Sequence, residues 1–73
     1  MKKEITIKTS GSDSNKYYKI EEYKGTYQCY IGRFSTWSSN WDSIGKAKVY
    51  DDALALIRSH ASQFGSITDF EIK

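Results

Sequence analysis

Seventy-three residues, a formal net charge of +2 and 15% aromatic content describe one small domain spanning residues 1–73. A chain of this size buries roughly 60% of its unfolded surface, which leaves little material for an active site with its own supporting shell. The charge is too small to imply a nucleic-acid partner by itself, and a single cysteine excludes an intramolecular disulfide.

That cysteine count suits a reducing compartment, so the cytoplasm is the expected location. The opening MKKEITIKTS is basic, but Glu4 and Lys8 interrupt any apolar run behind Lys2 and Lys3, and no secretion signal is expected. The longest apolar run, residues 53–57, is too short to cross a bilayer. Charge is lopsided: residues 1–50 hold nine Lys/Arg against five Asp/Glu, and residues 51–73 hold two against four.

Residues 2–9 alternate, with Ile5 and Ile7 on one side and Thr6 and Lys8 on the other, which predicts a half-buried strand. A polar loop follows over residues 11–15. Its Asp13-Ser14-Asn15 has the start of a calcium loop but neither the required glycine nor the distal glutamate, so a calcium site is not expected.

Residues 16–34, KYYKIEEYKGTYQCYIGRF, read as one β-hairpin turning at Lys24-Gly25, where glycine accepts positive φ without steric cost. Counting outward from the turn sets Tyr23 against Thr26, Glu22 against Tyr27, Ile20 against Cys29 and Tyr18 against Ile31. Tyr18, Ile20, Cys29 and Ile31 then share one face. A slip of one residue would split that cluster, so turn and hydrophobic pattern agree. The opposite face carries Tyr17, Lys19, Glu21, Tyr23, Gln28, Tyr30 and Phe34. A solvated sheet face is normally polar, and four rings among seven side chains mark a surface for a partner.

Residues 35–45, STWSSNWDSIG, are expected to be irregular and hold both tryptophans, Trp37 and Trp41. At least one of them is expected to fold back onto the core or onto the tyrosine face, because this small domain needs the burial. Residues 46–50 suggest a short strand with Val49 inward. Residues 51–64 predict the helix: Ala53, Ile57, His60, Ala61 and Phe64 form an apolar stripe flanked by Leu54 and Leu56, opposite Ala55, Arg58, Ser59 and Ser62. Asp51 is the expected N-cap, Asp52 suits the helix dipole, and Gly65 suits a left-handed residue after the helix. Residues 67–73 predict a last strand with Phe70 and Ile72 inward and Asp69 and Glu71 outward. The order β-β-β-(β)-α-β predicts an α+β two-layer sandwich, one helix on a four- to five-stranded, mainly antiparallel sheet.

No phosphate loop, nucleophile elbow or catalytic set is present, and no cofactor is implied. Glu21 and Glu22 point to opposite faces of a strand, and a zinc site would have to recruit carboxylates because the chain has one His and one Cys. Cys29 and His60 both face inward, and a thiolate–imidazolium pair is a nucleophile design. A small buried thiol beside a histidine at the stripe's edge is the simpler reading. No enzymatic activity is expected.

Two functional readings follow. In the first, the chain is an interaction module or small regulator. Tyr17, Tyr30, Phe34, Trp37 and Trp41 anchor a partner protein, or a second copy, while Lys19 and Arg33 orient its acidic groups. In the second, single-stranded nucleic acid stacks on Tyr17 and Tyr30 while Lys16, Lys19, Arg33, Lys46 and Lys48 neutralise phosphates. A tyrosine-rich hairpin followed by an Ala/Leu-rich helix loosely resembles many short bacterial and phage proteins. That likeness is compositional and carries no functional residue across.

Overall fold

The computed structural model describes residues 2–11, 15–34 and 36–73. Strands β1 (Lys2–Thr9), β2 (Lys16–Tyr23), β3 (Thr26–Phe34), β4 (Ser39–Ala47) and β5 (Ile67–Ile72) form one sheet in the order β4-β3-β2-β1-β5, with every pair antiparallel. Helix α1 (Tyr50–Ala61) lies on one face, against β2, β3 and β4. This is the α+β architecture that the hydrophobic pattern implies. Residues 13 and 14 of the rejected calcium motif lie outside the described residues.

The hairpin register agrees at every expected pair, from Tyr23 opposite Thr26 to Tyr18 opposite Ile31. Lys24 (φ 52°) and Gly25 (φ 76°) both take positive φ, the conformation whose twist matches that of paired strands. Lysine is a poor residue for that position, so the pairing beyond the turn imposes it. On the helix side Ile5, Ile7, Tyr18, Ile20, Cys29 and Ile31 meet Ala53, Ile57 and Ala61 in a core closed to water. His60, Leu54, Leu56 and Phe64 are half-buried at the margins of the stripe, and Ala55, Arg58, Ser59 and Ser62 are exposed behind it.

Several expectations are corrected. The nine-residue strand β4 occupies residues 39–45 of the segment read as irregular and only residues 46 and 47 of the short strand expected over 46–50, and Val49 is 51% exposed, not an inward anchor. Serine and asparagine hide the strand because neither favours one by itself; the backbone ladder to β3 holds it. A bulge between Cys29 and Tyr30, opposite Gly45 and Ser43, also breaks the period of two. It lets Trp41 face outward while Ile44 and Ala47 pack toward the core.

The helix begins at Tyr50, one residue before the expected cap. Val49 occupies the N-cap with no side-chain bond, and Asp51 and Asp52 lie inside the first turn. Packing of the Tyr50 ring on Tyr27, with centroids 5.9 Å apart, draws the helix back by that residue. After Ala61 the chain tightens into a 3₁₀ turn, Ser62–Phe64. Gly65 has positive φ but is extended (φ 131°, ψ 179°), a region essentially closed to other residues. A Cβ there would stand 2.5 Å from the Gly11 nitrogen, so close approach to the end of β1 demands the glycine. Phe70 lies inward, opposite Ile7 and under the Arg58 guanidinium at 4.5 Å. Ile72 shares that side but is 42% exposed, because β5 is an edge strand beyond the helix.

Candidate functional site

Alternation along β2 and β3 puts Tyr17, Lys19, Glu21 and Tyr23 of the first, and Gln28, Tyr30, Gly32 and Phe34 of the second, on the face away from α1. Register adds Trp41 of β4 beside Gly32, Thr6 of β1 beside Tyr17, and Glu71 of β5 beside Thr6. No described element covers this face.

Gly32 organises the rings. A Cβ on it would come within 2.7 Å of Phe34 Cζ and 3.1 Å of Trp41 Cζ3. The missing side chain lets Phe34 fold back over its own strand, and its ring fills the gap. Phe34 then stands 5.7 Å from Tyr17 and 5.4 Å from Trp41, tilted against the first and edge-on to the second. Tilted and edge-on contacts are the favoured geometry for aromatic quadrupoles. Tyr17 and Phe34 remain 43% and 51% exposed, while Trp41 is half-buried. Trp41 is therefore the tryptophan that covers the tyrosine face, and Trp37, at 93% exposure, is not.

Lys19 lies flat beside this trio. Its Nζ is 4.7 Å from the Trp41 ring centre and 5.1 Å from that of Tyr30, and it pairs with Glu21 at 2.8 Å. The hydrogen bond from Lys19 holds the Glu21 carboxyl below its usual range, helped by the nearby positive charges. The Tyr30 hydroxyl donates to Gln28 Oε1 at 2.8 Å. Lys19 and Tyr30 thus satisfy each other and their neighbours. The exposed rings are Tyr17 and Phe34, with half-buried Trp41 packed behind Phe34.

A cleft of about 220 Å³ runs along the trio, lined by Tyr17, Phe34 and Trp41 on one side and by Glu4, Thr6 and Lys73 at its far end. A second hollow, about 310 Å³, lies near the turn between Glu21, Glu22, Tyr23, Gln28 and Tyr30. The contribution of Glu4, Thr6, Glu71 and Lys73 was not legible in the sequence, because only sheet order brings β1 and β5 beside Tyr17.

Arg33 does not belong to this face. It alternates with Phe34, so it points to the helix side of the sheet and pairs there with Asp42, the partner of Ile31. Lys16 is also on the helix side, with its Nζ 4.5 Å over the Phe64 ring. Two of the five cations assigned to phosphates are therefore on the wrong surface.

Cys29 and His60 are both inward but do not pair. The Cys29 thiol donates to the Ala53 carbonyl at 3.6 Å, and burial pushes its pKa up, away from the thiolate. His60 Nδ1 and the Tyr18 hydroxyl are hydrogen-bonded at 2.9 Å, with the donor set by the imidazole tautomer. Among the described residues no three of His, Cys, Asp and Glu gather as a metal-binding group, and no helix is long and apolar enough to cross a membrane. Set beside known protein families, curated proteins and solved structures, the chain matches none of them.

Proposed function

We propose that this chain is a non-enzymatic interaction module or small regulator that binds a partner protein through the outer sheet face. Tyr17, Phe34 and Trp41 anchor the partner. The observation that carries this reading is the exposure of Tyr17 and Phe34 on a face that no described element covers, in a domain that needs its apolar surface buried. The rings are locked by one another over Gly32, so binding costs little side-chain entropy. The single buried thiol suits a reducing compartment, and we place the protein in the cytoplasm.

Charge favours a protein over a nucleic acid. By register the outer face carries Lys2, Lys8, Lys19, Lys46 and Lys73 interleaved with Glu4, Glu21, Asp69 and Glu71. Five cations against four carboxylates give no continuous positive track for phosphates.

The test is selection of a displayed random-peptide library on the intact protein, with counter-selection on the Tyr17→Ser/Phe34→Ser variant. Sequences that survive both steps support the reading, and an empty output overturns it. Titration with oligo-dT is the second arm. Amide shifts at Tyr17 and Phe34 that fade as salt rises would replace the protein partner with single-stranded nucleic acid.

A further inference from the structure

Charge on the outer face reverses across one row of the sheet. The row runs Trp41 (β4), Gly32 (β3), Tyr17 (β2), Thr6 (β1), Glu71 (β5); its Tyr17–Gly32 step continues the β2–β3 register. On β1, Glu4 and Lys8 stand on either side of Thr6, and on β5, Lys73 and Asp69 stand on either side of Glu71. The strands are antiparallel, so Glu4 and Lys73 share one flank, where the Lys73 amide donates to the Glu4 carbonyl. Lys8 and Asp69 share the other flank, and Asp69 Oδ1 also accepts from the Phe70 amide. The side chains of Glu4, Lys8, Asp69 and Lys73 are all exposed. A two-fold axis laid along the row, between two facing sheets, exchanges the flanks. Glu4 then lies over the partner's Lys8 and Lys73 over the partner's Asp69, and each pairing occurs twice.

Resting on the reading of this face as a protein-binding surface, we infer that it takes a second copy of the chain, packed face to face about the axis along this row. The remaining side chains accept the same operation. Tyr17 lies on the row, and the Phe34 ring is folded back onto it over Gly32, so each meets its own counterpart and the exposed rings bury one another. Trp41 backs Phe34, with Lys19 alongside. On β4, Ser43 comes over the partner's Ser39. Lys19 comes over the partner's Asn15 and keeps its own Glu21. Lys2, Glu21 and Lys46 lie toward the hairpin turn, beyond the overlap. Glu71 is the described charge that meets its like, and Lys8 and Lys73 flank it there.

Size sets how tightly the copies hold. Five strands ~4.8 Å apart, overlapping over about six residues at ~3.3 Å each, cover roughly 500 Å² per copy, or ~1,000 Å² in all. That is the scale of a weak, reversible dimer, in which the rim ion pairs fix the register more than the affinity. Facing sheets pack about 10 Å apart, a gap that Lys and Glu side chains span from opposite sides.

Sedimentation equilibrium of the full chain, from micromolar to millimolar concentration, is the test. The protein forms a reversible dimer, and Tyr17→Ser/Phe34→Ser raises its dissociation constant by more than about tenfold. If that variant fails to fold, Tyr17→Ser alone serves, at a position already 43% exposed. Lys8→Glu and Glu4→Lys, made singly, each raise the constant about fivefold, because like charges then meet across the axis. Combined, they reverse the charge pattern without removing it and restore the original constant to within about twofold. Glu71→Gln lowers it by about twofold. A monomer at every concentration, a dimer indifferent to the ring substitutions, or no restoration in the combined variant overturns the inference. If the chain is monomeric and the displayed library still yields sequences dependent on Tyr17 and Phe34, the inference fails and the protein-partner reading stands. If the chain is monomeric and counter-selection leaves nothing, both fail.

Discussion

Tyr17 and Tyr18 are neighbours in sequence and end in opposite environments. Tyr18 is wholly buried, with its hydroxyl on His60, its ring against the histidine edge and Ile31 across the strand. Tyr17 is 43% exposed and touches Phe34. One residue of strand alternation separates a core side chain from a surface one. The helix-side face of this sheet is built for cohesion, and the outer face keeps its rings available by packing them on one another.

The strongest way to break that contrast is truncation. Tyr18→Ala opens a cavity worth about 3–5 kcal/mol, the size of the whole stability expected of such a domain. The variant should be unfolded at 25 °C by circular dichroism. Tyr17→Ser should cost about 1 kcal/mol and remain cooperative. Similar losses from the two would mean that the outer face is structural.

Glycines sharpen the comparison next. Gly65→Ala forces a side chain into an extended positive-φ position and onto the Gly11 backbone, and should lower the unfolding free energy by about 1–3 kcal/mol. Gly32→Ala meets only the far edge of the exposed Phe34 ring and the Trp41 rim. It should fold with a smaller change in urea midpoint, while displaced ring currents move the Tyr17 signals.

Alkaline titration probes the buried face. Burial pushes the Tyr18 phenol up to about 12 from an ordinary value of 10.0, and raises the Cys29 thiol as well. Above pH 10 the unfolded chain releases the phenol proton while the folded chain keeps it. Stability is therefore full below that pH and falls as pH rises toward 12. Urea midpoints measured between pH 8 and 11 should decline, and should decline less in Tyr18→Phe.

The smallest effect belongs to Lys19 and Glu21. Lys19→Ala removes a partly exposed ion pair and the cation over two rings, and should cost about 1 kcal/mol or less. The Glu21 carboxyl, held low by Lys19, contributes stability above its unfolded pKa that fades as pH falls through its folded value. In Lys19→Ala its NMR titration should move up.

The hairpin, its parity and the helix stripe were legible because each rests on contacts near in sequence: a glycine turn and alternation at a period of two, then 3.6. The elements that misled were those whose conformation depends on distant partners. β4 carries serines and asparagines that take strand form only against β3, and its bulge erases the period a reader would count. Asp51 gives way as a cap because Tyr27, far away in the chain, captures Tyr50. Arg33 was assigned to the partner surface although its own parity set it opposite, beside Asp42.

By itself the amino-acid order determined which hairpin residues are buried and which are bare, since side-chain alternation follows from backbone geometry alone. Only the tertiary structure decided what stands next to the bare ones. Sheet order seats Trp41, Phe34 and Tyr17 around Gly32 and brings Glu4 and Glu71 to their flank, through hydrogen bonds between strands that no local pattern encodes.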